Sequence, residues 1–189
     1  MESLNELFEE QIKDLYSAET QLLKAMPKMA KKISSPKLLK AFEMHLKQTE
    51  GQVERLKKIG EKGGFKLTGK VCNAMKGLIE EATETMGEGE KGPVLDAGLV
   101  ADAQRIEHYE ISAYGTARTL AEHLGLTMPA RLLQQTLKEE SATDEKLTKI
   151  VMSDVYPAAT AAEGGDVGGG EEEPEDEADE APAEAATDE

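Results

Sequence analysis

The sequence of 189 residues holds one cysteine, Cys72, no tryptophan, and aromatic side chains at only 4% of positions. A single thiol cannot build a disulfide framework, which favours a reducing compartment. So few rings suit a core of Leu, Met and Ala. Long apolar runs are missing too: nowhere do about 18 apolar residues follow one another, as a membrane-spanning helix requires. No signal-peptide pattern opens the chain, and a cytoplasmic protein is the expectation. Bases are absent beyond Lys149, whereas residues 163–189 hold 13 of the 38 Asp and Glu. That leaves 25 acids against 22 bases over residues 1–156, so the formal charge of -16 belongs to the tail. The nearly neutral body lacks the basic footprint of a nucleic-acid binder. Its local group Lys24, Lys28, Lys31, Lys32, Lys37 and Lys40 reads as a solvated helix end.

What the chain does have is helical periodicity. From Leu4 to about Ile33 the residues Leu4, Phe8, Ile12, Leu15, Leu22, Met26 and Met29 recur at three- and four-residue spacings and their multiples. Ser3 with Glu6 reads as a capping box, and Pro27 should kink or tighten the last turns. Ser35 and Pro36 cap and open a second helix that runs to about Ile59 and stops at Gly60. A shorter helical segment spans Cys72 to Met86, with Cys72, Met75, Leu78, Ile79 and Ala82 as its apolar stripe. Helix three runs from near Val94 to Leu124, with Gly125 as its stop, and helix four from about Pro129 to near Asp154. No strand-like alternation occurs.

These elements predict an all-α fold over residues 1–156: an up-down four-helix bundle with an additional short helix between the second and third main helices. Beyond Tyr156 the composition turns to Ala, Gly, Glu, Asp and Pro, with Val167 the only larger aliphatic. Residues 157–189 are therefore expected to form a disordered acidic tail.

Each main helix also carries polar residues within its apolar face. At about 100° per residue, Glu19 falls near the centre of the first stripe. In helix three, Glu107 and Glu110 interrupt the stripe of Leu99, Ala103, Ile106, Tyr114 and Ala117, while His108 lies on the opposite face. In helix four, Glu140 sits beside Leu133, Thr136 and Leu147, with Asp144 one turn later at the margin and Glu139 and Glu145 further out. Helix two is less clear: Thr49 is central, and His45 and Glu50 flank it. His45 is either a nitrogen ligand or a hydrogen-bonded core histidine.

Ionised carboxylates among apolar side chains are costly unless a cation meets them. A metal pair held between the helices by Glu19, Glu107, Glu110 and Glu140 explains them together, with His45 as nitrogen ligand and Asp144 or Glu50 completing the set. Such hard, oxygen-rich donors suit iron or manganese. Tyr16 and Tyr114 are candidates to hydrogen-bond the ligating carboxylates. Cys72 with Met75 lacks the further ligands of a soft-metal site and reads as core. The competing reading is a non-enzymatic scaffold or association module whose inward acids are protonated or bonded to Tyr16, Tyr114 and Thr49.

The stretches Asp14 to Glu19, His45 to Gln52, Cys72 to Glu81, Glu107 to Gly115 and Glu139 to Asp144 resemble, in order, the YciF-like stress-response proteins of the ferritin-like superfamily. The resemblance spans about residues 3–153. It implies a ferritin-like bundle with an added helix, a dinuclear centre of two iron ions, homodimerisation and a role in stress physiology. One departure from the wider superfamily stands out. Where ferritins and rubrerythrins place Glu-x-x-His on the second and fourth helices, this chain has Thr49 with Gln52, or Glu50 with Val53, and Glu140 with Thr143.

Overall fold

A computed structural model describes residues 1–164. Six α-helices follow one another among them: α1 Leu4–Lys32, α2 Pro36–Gly63, α3 Asn73–Glu88, α4 Pro93–His123, α5 Thr127–Ile150 and α6 Tyr156–Ala162. A π turn, Val151–Val155, joins α5 to α6. No strand occurs among the described residues.

Local chemistry accounts for most boundaries. Ser3 Oγ accepts the Glu6 amide at 3.2 Å, but Glu6 reaches back to the Glu2 amide, at 2.6 Å, rather than to Ser3. The helix runs unbroken through Pro27, which is exposed. Ser35 Oγ caps α2 by accepting the Leu38 amide at 3.3 Å. Gly60 does not end α2. The helix continues through Glu61 and Lys62 and stops at Gly64, whose φ of 73° is the left-handed cap that glycine adopts without steric cost. Gly125, at φ 70°, makes the corresponding turn after α4, and α5 begins at Thr127, ahead of Pro129.

The expected boundary at Tyr156 needs correction. Tyr156–Ala162 is helical, with Pro157 in the first turn and an Ala-rich run behind it, both favourable to a helix. Positions 165–189 of the expected disordered tail lie outside the described residues.

The long helices α1, α2, α4 and α5 form a square in which α1 and α5 each pack against α2 and α4. α3 lies against α1 and α4. One apolar cluster joins the end of α1, the starts of α2 and α4 and the end of α5 through Met29, Ile33, Leu38, Leu99 and Leu147. A second joins the opposite ends through Phe8, Ile12, Leu56, Tyr114, Ala121 and Leu133. Hence α1 and α5 run one way and α2 and α4 the other. The segment 64–92, carrying α3, returns the chain along the length of the bundle, as in bundles with one long crossover. A third cluster, including Leu22, Met26, Cys72, Met75 and Ile106, seats α3. Each fully buried Leu or Met contributes roughly 1.5–3 kcal/mol, so the clusters hold the helices together and fix what their middle turns present to the axis.

Candidate metal centre

Between the two end clusters the bundle has a polar layer. α1 brings Glu19; α2 brings His45, Thr49 and Gln52; α4 brings Glu107 and Glu110; α5 brings Glu140. All are buried, with Glu19, Glu110 and Glu140 at 0% exposure. Glu107 and Glu110 are one turn apart inside the stripe of Ala103, Ile106, Tyr114 and Ala117, so the residues that pack the helix also aim its carboxylates inward.

His45 Nε2 lies 3.1 Å from Glu107 Oε1, and its Nδ1 lies 3.9 Å from Glu140 Oε2. His45, Glu107, Glu110 and Glu140 each supply a ligand-type atom to a group whose members all lie within 4.8 Å of one another. Glu19 meets this layer from α1, and Tyr114 Oη donates to its Oε1 at 2.5 Å.

Seven atoms of these five side chains have no hydrogen-bond partner: Glu19 Oε2, both His45 nitrogens, Glu107 Oε2, both Glu110 oxygens and Glu140 Oε2. Leaving a buried polar atom unpaired costs about 1–3 kcal/mol, and few folded proteins tolerate many. In the absence of a cation the layer holds protons instead. Burial pushes the Glu107 carboxyl up to about 8, although its hydrogen bond with Glu140 pulls the other way. Burial also raises Glu19, Glu110 and Glu140 well above the ordinary 4.5, with neighbouring carboxylates adding to the rise. The Tyr114 phenol is raised by burial and by the charge of Glu19. Hard oxygens and one imidazole, convergent and unpaired, fit a metal: this buried His/Glu group could hold a metal ion.

Comparison with known proteins extends the geometry. Residues 3–160 match the family described as Domain of unknown function (DUF892). The chain belongs to the DUF892 family. It is 47% identical over 160 residues to Protein YciF of Escherichia coli (strain K12), covering 84% of this chain and 96% of YciF. The crystal structure of the E. coli stress protein YciF matches with a TM-score of 0.79 at 46% identity, covering 82% of this chain and 99% of that one. YcfI from Rhodopseudomonas palustris matches with a TM-score of 0.75 at 42% identity, over 78% and 94% of the two chains. A Xanthomonas campestris protein, at 18% identity and a TM-score of 0.68, shares the fold.

This DUF892 chain brings five of the seven side chains singled out in its sequence into the layer. Glu50 is not among them. It is exposed, one residue on from Thr49 and therefore about 100° round the helix from it. Asp144 is turned to the rim, where Gln104 Nε2 donates to its Oδ1 at 2.9 Å and His108 Nε2 stands 3.5 Å from the same oxygen. Its charge still adds to the rise of the Glu107 carboxyl. His108 is exposed, as expected. Tyr114 bonds a carboxylate of the layer, whereas Tyr16 packs against the end cluster of Phe8 and Leu56. Cys72 is buried and caps α3, its Sγ 2.9 Å from Tyr109 Oη, which donates to Asp14 Oδ2 at 2.5 Å. Burial pushes the Cys72 thiol up, so it is not a ready nucleophile.

Gln52 is the member that the sequence reading names only as a departure from Glu-x-x-His and does not count among the site residues. It is wholly buried; its Nε2 donates to Glu140 Oε1 and lies 3.4 Å from Glu139 Oε2, while its own Oε1 has no partner. Outside it, Arg55 closes the layer: Nε donates to Thr136 Oγ1 at 2.9 Å, and Nη2 pairs with Glu139. The available signal was position. Gln52 follows Thr49 by three residues, on the inward face of α2 and at the turn where the wider superfamily carries histidine.

Proposed function

We propose that the chain is a dinuclear metal protein of stress physiology, with iron as the metal and manganese as the second choice. One observation carries this reading: seven unpartnered polar atoms converge in a buried layer, and Glu110 there has neither oxygen bonded. Glu19, His45, Glu107, Glu110 and Glu140 would hold the ions, and Gln52 Oε1 offers a further donor. When bound, an iron pair supplies electrons to dioxygen or peroxide. The chain's own groups set the site around it. Tyr114 orients Glu19, Gln52 orients Glu140, and the apolar clusters on either side limit water. With one imidazole and no Glu-x-x-His on α2 or α5, the set keeps the four carboxylates of the di-iron bundles and has one nitrogen fewer, which leaves it richer in hard oxygen donors. The description of the E. coli relative as a stress protein supports an oxidative or general stress role. A homodimer belongs to the same reading through the family resemblance, and a cytoplasmic location through the single cysteine and the lack of a signal-peptide pattern.

The scaffold reading has observations of its own. The Tyr114–Glu19 and Gln52–Glu140 hydrogen bonds partly satisfy the layer without a metal. Anaerobic Fe(II) titration with elemental analysis separates the two. The metal reading expects about two irons per chain. At a thousandfold excess over Kd, it also expects stabilisation of about 4 kcal/mol for each ion bound, abolished by Glu110→Gln. No bound metal and an unmoved melting temperature would leave the scaffold.

A further inference from the structure

Lysines gather at one end of the bundle, away from the metal layer. Residues 20–42 hold six of them, Lys24, Lys28, Lys31, Lys32, Lys37 and Lys40, and no Asp or Glu, although acids outnumber bases in the body as a whole. All six are exposed. Folding adds Lys91 from the turn between α3 and α4, whose Nζ donates to the Lys31 carbonyl at 3.4 Å. The end of α1 accounts for Lys31 and Lys32, because cations suit a helix C-terminus. It does not account for the rest. Lys24, Lys28 and Lys32 repel one another as like charges four residues apart, and Lys37 and Lys40 stand at the start of α2, where the dipole disfavours cations and the first turn has no acid. Lys37 is answered by Asp154 Oδ1 at 2.8 Å. The others make no ion pair among the described residues.

We infer that this lysine face is the docking surface for the chain's own acidic run, residues 171–180, in the same molecule. Charge is the first argument. The run places eight Asp or Glu in ten positions with no base, so each partner carries a charge density that repels itself and attracts the other. Position is the second. Asp154 of the π turn holds Lys37 and accepts the Ser35 hydroxyl at 2.5 Å, and Val155 packs in the cluster of Ile33 and Leu38. The described chain therefore ends beside the lysines: α6 and its last turn carry it about 15 Å from Asp154 to Gly164. Reach is the third. The six residues 165–170 can span roughly 20 Å, enough to return, and ten more can span roughly 33 Å, against about 12 Å from Lys24 to Lys32 along α1. Tethering also presents the run at roughly millimolar effective concentration, ahead of a free polyanion of equal charge. Docked, the run neutralises the lysines and closes the face to other polyanions. The contact is independent of the metal.

The experiment treats full-length protein, an equal mixture of unlabelled and isotopically labelled chains, with a water-soluble carbodiimide. The reagent joins an amine to a carboxylate only where the two meet, and mass spectrometry reads the links. Lys58 and Lys62, exposed at the other end of α2, serve as reference. They are within reach, since α2 is about 40 Å long and the 25 residues 165–189 can span roughly 80 Å. At about 0.1 M salt, links from residues 171–180 should fall several-fold more often on Lys24, Lys28, Lys31 and Lys40 than on the reference, within single chains. That excess should vanish at about 1 M salt, where the Debye length is roughly 3 Å. An even distribution, or an excess that salt leaves unchanged, overturns the inference. Links between labelled and unlabelled chains overturn it in favour of a second copy. No excess, with a DNA oligonucleotide retained by the wild-type chain and released by Lys24→Gln/Lys28→Gln/Lys31→Gln, overturns it in favour of a nucleic-acid face. The decisive comparison lies within the wild-type protein and needs no variant to fold.

Discussion

Asp96 and Glu110 are two buried acids on the same helix, about four turns apart, and they are buried for different reasons. Asp96, 1% exposed, accepts the Ser34 amide at 2.8 Å, the Ser34 hydroxyl at 2.6 Å and the Ser35 amide at 2.8 Å. It ties the α1–α2 loop to the first turn of α4. Glu110 is more deeply buried and accepts nothing. Burial therefore does not by itself mark a functional acid. Asp96 is complete within the folded chain, whereas Glu110 is complete only with a proton or a cation.

Proton balance should separate the two regions most. In the metal-free protein Glu107 titrates near 8 against an ordinary 4.5, and its neighbours in the layer are raised as well. Between those values the folded chain holds protons that the unfolded chain has released. Stability is then fullest below 4.5 and falls as pH rises through 8, at about 1.4 kcal/mol per pH unit for each extra proton held. Denaturant melts of metal-free protein across this range should show the midpoint dropping. Loaded with metal, the trend should reverse, because ligating carboxylates must be ionised and binding releases protons. A flat metal-free profile would mean that the layer does not carry protons, and the contrast with Asp96 would fail.

Removing the Asp96 clip comes next in size. Asp96→Ala strips an acceptor from three donors; because Ser34 is exposed and water can replace part of what is lost, each donor counts at the low end of 1–3 kcal/mol, a loss of about 3 kcal/mol. The loss should be equal in metal-free and metal-loaded protein, as urea unfolding of both forms will test. A matching loss of metal affinity would show that the clip also positions the site.

How much of this was legible in the sequence depends on whether a residue broke a pattern. Glu19, Glu107, Glu110 and Glu140 did, since an acid near the middle of an apolar stripe contradicts the helical period that places it. Glu50 and Asp144 lay at the margins of their stripes. There a step of 100° per residue leaves inward and outward unresolved, and only the packed structure turns Glu50 to solvent and Asp144 to Gln104. Gln52 showed only as a departure from Glu-x-x-His, because an uncharged amide on a helix gives no sign of its role until Glu140 is found bonded to it. The helices themselves were readable from periodicity and caps. Their ends were less so: Gly60 and Gly64 look alike as letters, and only Gly64 takes the left-handed conformation. The return of the chain along α3 follows from which helix ends share a core, a long-range fact that periodicity does not carry.

Glu110→Met sharpens the comparison from the other side. It replaces two unpaired oxygens by a side chain of similar volume in a dry layer, and the metal-free protein should gain about 2 kcal/mol. The same variant should lose all stabilisation by Fe(II). Gaining stability while losing the ligand response is the signature of a group retained for binding; Asp96 variants should show neither change. A destabilised Glu110→Met would mean that the carboxyl is bonded in the metal-free fold.

The smallest effect, on Glu50→Gln, tests which face of α2 belongs to the site. Glu50 is exposed and makes no recorded ion pair among the described residues, so its neutralisation should change stability by no more than about 0.5 kcal/mol. Iron stoichiometry should stay the same. His45→Ala, on the face that His45 shares with Thr49 and Gln52, should weaken metal binding by comparison, because it removes the one nitrogen of the set. If calorimetry found the opposite order, with Glu50→Gln abolishing binding and His45→Ala tolerated, α2 would have to turn about its axis by about 100° when loaded. That rotation would carry Leu56 and Ile59 out of the end cluster they share with Phe8 and Ile12. Packing at the end of the bundle thus bears directly on which side chain of α2 reaches the metal.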